Sequence, residues 1–151
     1  MGLRRRSREK TLQILYSVEF NKTLSFKEAV DIYYEYFNLS GKNCPDNGEN
    51  EEFNFIQYLL GEVEKNLSEI EALIEDAAIN WRIERIALIE RNILRMSVAE
   101  LIDKDNGVPF KATINEAIDI AKKFGSRDSS SFVNGIINKV ADIIDVKNTK
   151  L

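Results

Sequence analysis

The 151-residue sequence has no histidine, so the side chain that most readily exchanges a proton near neutral pH is missing. It has one cysteine, Cys44. A single thiol excludes an internal disulfide and fits a reducing compartment. Neither a second cysteine nor a histidine stands at ligand spacing from it, so no metal or redox motif follows. No Gly-x-Gly-x-x-Gly or other phosphate-binding loop occurs; Gly107, Gly125 and Gly135 sit where they cap or punctuate helices. No constellation of carboxylates points to catalysis. The chain is therefore expected to be no enzyme and to need no cofactor and no metal. No apolar run approaches the roughly 20 residues that span a membrane. The basic start runs into a charged amphipathic stretch rather than the plain apolar core of a signal peptide. The expectation is a soluble, cytoplasmic protein.

Hydrophobic residues make up 44% of the chain, which argues against disorder, and the length predicts one domain, 1–151, with a substantial core. The net charge of −4 speaks mildly against a nucleic-acid binder. Its distribution reverses that. Residues 1–10 hold five basic residues and one acid, +4, and the remainder holds 16 basic and 24 acidic residues, −8. A positive patch on an acidic body binds polyanion locally and repels it elsewhere, with an affinity that falls with salt.

Apolar spacing predicts helices throughout. Residues 3–21 carry a stripe of Leu12, Leu15, Tyr16 and Phe20, preceded by Arg4, Arg5, Arg6 and Arg8. Arg4 and Arg8 share a face. Two readings of these arginines stand: an RNA contact, in which guanidinium groups fork onto phosphates and stack on bases, and a solvated, frayed terminus. Cations at a helix N-terminus oppose its dipole by about 0.3–1 kcal/mol, so fraying without RNA is expected. Residues 25–37 follow, opened by a Ser25/Glu28 capping box and striped by Ala29, Ile32, Tyr33 and Tyr36, with Tyr34 and Phe37 widening the stripe. Residues 38–50 form a polar surface loop.

Residues 51–78 give two helices, broken near Asn66-Leu67-Ser68. Phe55, Tyr58, Leu59 and Val63 line the first; Ile70, Leu73, Ile74 and Ala77 line the second, with Ser68/Glu71 a candidate capping box. Nine acids and one lysine between Glu49 and Asp76 read either as a solvated face or as a surface that steers a basic protein partner. Residues 83–103 are expected to form the longest and central helix, apolar on two sides: Ile86, Ile89, Ile93 and Met96 on one, Ala87, Leu94, Val98 and Leu101 on the other. Trp81, just ahead of it, is expected to anchor the core.

Residues 106–137 complete the pattern as loop, helix, sharp stop, polar elbow and helix. Ile114, Ala117, Ile118 and Ala121 make the first buried face, and Val133, Ile137, Val140 and Ile144 the second. Gly125 is expected to be a left-handed helix cap, and Asp128 or one of Ser129 to Ser131 to cap the next helix. Gly135, inside that helix, costs about 1 kcal/mol against alanine; close helix packing or the approach of a ligand would account for it. Residues 145–151 are expected to fray.

This last stretch resembles the C-terminal end of the NusB family of transcription antitermination factors. The residues that carry the likeness are Val108-Pro109-Phe110-Lys111, Ile114-Asn115-Glu116-Ala117, Ala121-Lys122, Phe124-Gly125, Asp128-Ser129 and Phe132-Val133-Asn134-Gly135. Leu15-Tyr16-Ser17, the run Trp81 to Arg85, and Ile93-Leu94-Arg95 resemble the family too. The same module resembles the RNA-binding extension of some ribosomal RNA cytosine methyltransferases, but this chain stops where a parallel-sheet cofactor domain would begin.

The resemblance implies an all-α fold of about seven helices in two three-helix groups around the helix at 83–103. It also implies a partnership with NusE, a small-subunit ribosomal protein. The pair would bind single-stranded boxA RNA in nascent ribosomal transcripts and help an RNA polymerase antitermination complex pass terminators. On this reading Arg4, Arg5, Arg6 and Arg8 grip phosphates, Tyr16 and Phe132 lie near bases, Asp128 tunes RNA or partner binding, and Glu90 meets the protein partner. The alternative is an interaction module or homodimer whose arginine-rich helix is occluded and binds no RNA in its resting form.

Overall fold

The computed structural model describes residues 2–37, 51–79 and 81–149. The expected loop at 38–50, with Cys44, lies outside the described residues, as do the side chains of Tyr36 and Phe37. Among the described residues there are seven α-helices and no strand: α1 (Leu3–Phe20), α2 (Phe26–Phe37), α3 (Glu51–Lys65), α4 (Leu67–Ala77), α5 (Leu88–Ile102), α6 (Phe110–Phe124) and α7 (Ser129–Thr149). A 3-10 turn, Ile83–Arg85, links α4 to α5. None of these helices is long and apolar enough to cross a membrane. The chain forms two compact units, Met1–Gly61 and Glu62–Leu151.

In the first unit α1 packs on α2. Leu12, Ile14 and Leu15 of α1, Ala29, Val30 and Tyr34 of α2, and Ile56, Leu59 and Leu60 of α3 are buried. The capping box at α2 forms: the Glu28 N–H donates to Ser25 Oγ at 3.1 Å, and the Ser25 N–H donates to Glu28 Oε1 at 3.4 Å. The stripe of α2 is rotated from the expected one. Val30 and Tyr34 face inward and Ile32 is 41% exposed. With apolar residues at most positions of this helix, the spacing alone admits either face. Tyr34 and Phe53 meet edge to face, centroids 5.5 Å apart, a geometry favoured by the ring quadrupoles.

In the second unit α5 packs against α4, α6 and α7, and α7 against α4 and α6. Ile93, Leu94, Met96, Val98, Ala99 and Leu101 are all buried, as expected of a helix apolar on two sides. This helix is shorter than expected. The 3-10 turn and the extended residues Ile86 and Ala87 precede it, and the longest helix is α7 with 21 residues. The Ile83 N–H donates to Glu75 Oε2 at 2.9 Å, so an acid of α4 fixes the turn. Three further expectations are corrected. Trp81 does not anchor the core; it is 51% exposed in the irregular link after α4. Ser68 caps nothing, because α4 starts one residue earlier, after Asn66. The end of α7 is helical to Thr149.

Candidate nucleic-acid interface

The expected site residues fall into two groups, one in each unit. Arg4, Arg5, Arg6, Arg8 and Tyr16 lie on α1. Glu90 opens α5, and Asp128 and Phe132 flank the start of α7.

α1 is helical from Leu3 although no acid lies in its first turn and no side chain caps it. Contacts with α3 hold the uncapped turn. The guanidinium groups of Arg4 and Arg8 sit 5.4 and 5.3 Å from the centroid of the Phe55 ring, within the range of cation–π attraction. Arg6 Nε lies 3.4 Å from Glu52 Oε2, and Lys10 Nζ pairs with Glu52 Oε1. One carboxylate thus offsets two cations of the basic turn and a half. Ser7 Oγ donates to the Leu3 carbonyl at 2.9 Å and Thr11 Oγ1 to the Ser7 carbonyl at 2.8 Å. The expected fraying of residues 3–10 is therefore opposed by a specific set of tertiary contacts.

The arginines are not equivalent. Arg4 and Arg6 are exposed and Arg5 is half-buried. Arg8 is only 4% exposed, so its expected role as a phosphate contact is revised: it packs against Phe55 and holds α1 in place. Tyr16 is 38% exposed, and its ring is stacked with that of Phe20. Neither Phe55 nor Glu52 is visible as a partner in the sequence. Arg6 and Glu52 are 46 residues apart, and no local spacing connects them.

The second group is organised by Ser129, which is 1% exposed. Its hydroxyl donates to Glu90 Oε1 at 2.5 Å and accepts from the Ser126 N–H at 2.8 Å; Ser126 Oγ lies 3.1 Å away. The elbow between α6 and α7 is thereby tied to the first turn of α5. Asp128 is exposed at the tip of this elbow, where its carbonyl accepts from the Phe132 N–H at 3.1 Å. Phe132 is half-buried, while Val133 and Ile137 are fully buried and take the inner face. Gly125 does not adopt the expected left-handed cap. Its φ of −91° and ψ of −175° are extended, and the glycine is required for space: a Cβ there would lie 2.3 Å from Ser129 Oγ and 2.4 Å from Ser129 Cβ. Gly107, with φ of 74°, is the left-handed residue of the described set. Close helix packing does not explain Gly135, where a Cβ would meet nothing within 4 Å.

The first unit offers exposed cations and exposed rings, and the second a hydrogen-bonded polar elbow; each is recognition chemistry. Among the described residues no group of three or more histidine, cysteine, aspartate or glutamate side chains is placed to hold a metal. The NusB family model matches residues 5–142. The chain belongs to the NusB family. Transcription antitermination protein NusB of Myxococcus xanthus is 38% identical over 141 residues, covering 93% of this chain and 96% of that protein. NusB of Bacillus mycoides is 36% identical over 141 residues, covering 93% and 98%. Among solved structures, T. maritima NusB superposes with a TM-score of 0.77 at 28% identity, covering 92% of this chain and 90% of that one. A chain from the crystal structure of antitermination factors NusB and NusE in complex with double-stranded RNA has a TM-score of 0.78 at 23% identity, covering 95% and 98%. At that identity the likeness is one of fold. The NusB fold accounts for the all-α architecture expected from the sequence.

Proposed function

We propose that the chain is a transcription antitermination factor. With NusE it binds a single-stranded boxA element in nascent ribosomal RNA, and the assembly helps RNA polymerase read through terminators. It works in the cytoplasm as one RNA-binding module and acts by binding, without catalysis. The observation that carries this reading is the match along nearly the whole chain to proteins named for transcription antitermination. The local chemistry agrees with it. Arg4, Arg5 and Arg6 present cations from a formed helix, Tyr16 offers an exposed ring, and the Asp128 elbow with Phe132 is held rigid by Ser129. Glu90, with one oxygen bound to Ser129, is the candidate contact for the basic protein partner.

Fluorescence anisotropy of a labelled boxA-type RNA against a scrambled control, with and without NusE, tests the reading. A preference for boxA that strengthens with NusE is the expected result. Alanine at Arg4, Arg5 and Arg6 together should weaken binding and flatten the dependence of log affinity on log salt by about 2, at roughly 0.7 per lost phosphate contact. Equal weak binding to both RNAs, unchanged by NusE, would overturn it. A fall in RNA affinity with rising protein concentration would point instead to an occluding homodimer.

A further inference from the structure

A hydroxyl group has one proton to donate and two lone pairs that accept. At Ser129 all three are assigned. The proton goes to Glu90 Oε1 at 2.5 Å. The Ser126 N–H donates to one lone pair at 2.8 Å. Ser126 Oγ, 3.1 Å away, is then the donor in its own bond, because the Ser129 proton is already committed. The side chain has little room to turn away. Ser129 is 1% exposed, and Gly125 lies so close that a Cβ there would stand 2.3 Å from Ser129 Oγ. A buried, fully bonded donor therefore holds one oxygen of Glu90. The charge of that carboxylate is not balanced in the same way. Glu71, by contrast, pairs with Arg95 at 2.8 Å. Among the described residues no cation lies within ion-pair distance of Glu90, and the residue is half-buried. The anion is oriented by its own chain and left for a cation from outside it. A clip that merely ties the elbow to α5 would use the same bond. The two roles separate in the charge: a clip needs only an acceptor, and a positioned anion needs its charge.

We propose that Ser129 is a positioning residue for recognition of the protein partner: its hydroxyl, itself held by Ser126, sets the direction in which the Glu90 carboxylate meets an arginine or lysine of NusE. The proposal rests on the reading above, in which Glu90 faces the basic partner, and names the residues that prepare it. A side chain that is already held loses less freedom when it pairs across an interface. Ser129 is too deeply buried to touch the partner itself, so its contribution passes through Glu90.

The test measures the affinity of the full chain for NusE by isothermal titration calorimetry. Glu90→Gln keeps an oxygen for the Ser129 proton and removes the charge. It should weaken NusE binding about tenfold or more, as the loss of one member of a close charge pair does. Ser129→Ala should weaken it about two- to tenfold, the cost of immobilising one more side chain on binding. Ser129→Cys, with its weaker S–H donor, should fall between, and it carries the comparison if circular dichroism shows the alanine variant poorly folded. In the Glu90→Gln background Ser129→Ala should cost less than about twofold, because no charge is left to position. A clip would still be needed there, so an equal penalty in both backgrounds overturns the proposal. So does full NusE affinity in the Ser129 variants when Glu90→Gln is weakened. If the unaltered chain binds NusE and Glu90→Gln binds it equally well, the proposal fails while the antitermination reading stands. Failure of the unaltered chain to bind NusE overturns that reading and this proposal with it.

Discussion

Replacing Gly125 by alanine puts one methyl group into a space that the elbow does not have. At φ −91° and ψ −175° an alanine backbone is unstrained, and the smaller entropy of the unfolded chain should favour the variant by about 0.4–1 kcal/mol. Sterics oppose this. The new Cβ would lie 2.3 Å from Ser129 Oγ, 2.4 Å from Ser129 Cβ and 2.8 Å from the Ala121 carbonyl oxygen. Two of the three belong to a buried side chain and one to the backbone, so no flexible tip can swing aside. Overpacking of this kind costs about 1–3 kcal/mol. Moving Ser129 also stretches its bonds to Glu90 and to the Ser126 N–H, about 1–3 kcal/mol for the charged bond and about 1 for the neutral one. The net expectation is a loss of about 3 kcal/mol, or roughly 6–12 °C in Tm for a chain of this size. Urea unfolding followed by circular dichroism measures it. Gly125→Asn discriminates the cause: a left-handed cap would accept asparagine better than alanine, whereas a crowded extended glycine makes asparagine at least as costly. In a Ser129→Gly background the Gly125→Ala penalty should shrink by 1 kcal/mol or more. A loss below about 1 kcal/mol, or asparagine tolerated better than alanine, would refute the reasoning.

Two further outcomes follow from the first unit. Arg8→Lys retains the charge but not the planar group over Phe55; it should lower unfolding stability by about 1–2 kcal/mol and leave the salt slope of RNA binding unchanged, so a flattened slope with no stability loss would return Arg8 to the phosphate contacts. Burial, with the nearby Glu52 carboxylate adding to it, raises the Tyr33 phenol above its ordinary value. The folded state thus holds the Tyr33 proton more tightly than the unfolded one, so the contribution is full below the ordinary tyrosine value of about 10 and is lost as pH rises through the higher folded value. Tyr33→Phe should flatten the alkaline fall in stability measured by urea unfolding between about pH 9 and 12, and an identical slope in the two proteins would count against it.

Local periodicity made the helices legible and left their partners illegible. The stripe Ile70, Leu73, Ile74 and Ala77 is buried as read, because only one face of α4 is continuously apolar. In α2 the same reasoning chose the wrong phase: Ala29 is common to both stripes, and Ile32 against Val30 is decided by what α1 and α3 present. Trp81 was misplaced for a related reason. The tendency of tryptophan to be buried belongs to a packed element, and this one lies in a link. Of the candidate site, the basic first turns and Tyr16 stand out in the sequence as candidates. The Phe55 ring under Arg4 and Arg8, the Glu52 carboxylate beside Arg6 and Lys10, and the Ser129–Glu90 bond do not, since each joins residues about 40 or more positions apart.

Those distant contacts also change what the acidic stretch means. Read as a run from Glu49 to Asp76, it is either a solvated face or a surface for a basic partner. In the folded chain several of its carboxylates are engaged at home. Glu52 holds Arg6 and Lys10, Glu62 accepts from the Asn66 amide, Glu71 pairs with Arg95 at 2.8 Å, and Glu75 fixes the turn before α5. Apart from the exposed Arg6–Glu52 contact, these bonds are part-buried. They set which way charged side chains point. A carboxylate bound to its own chain presents less charge to a partner than the sequence count implies. Glu90 shows the same thing from the other side: one oxygen accepts from Ser129, so a cation that binds this carboxylate will bear on the elbow that carries Asp128. In the second unit the residue expected to face the partner is thus hydrogen-bonded to Ser129, the chain neighbour of Asp128, the residue expected to tune RNA or partner binding.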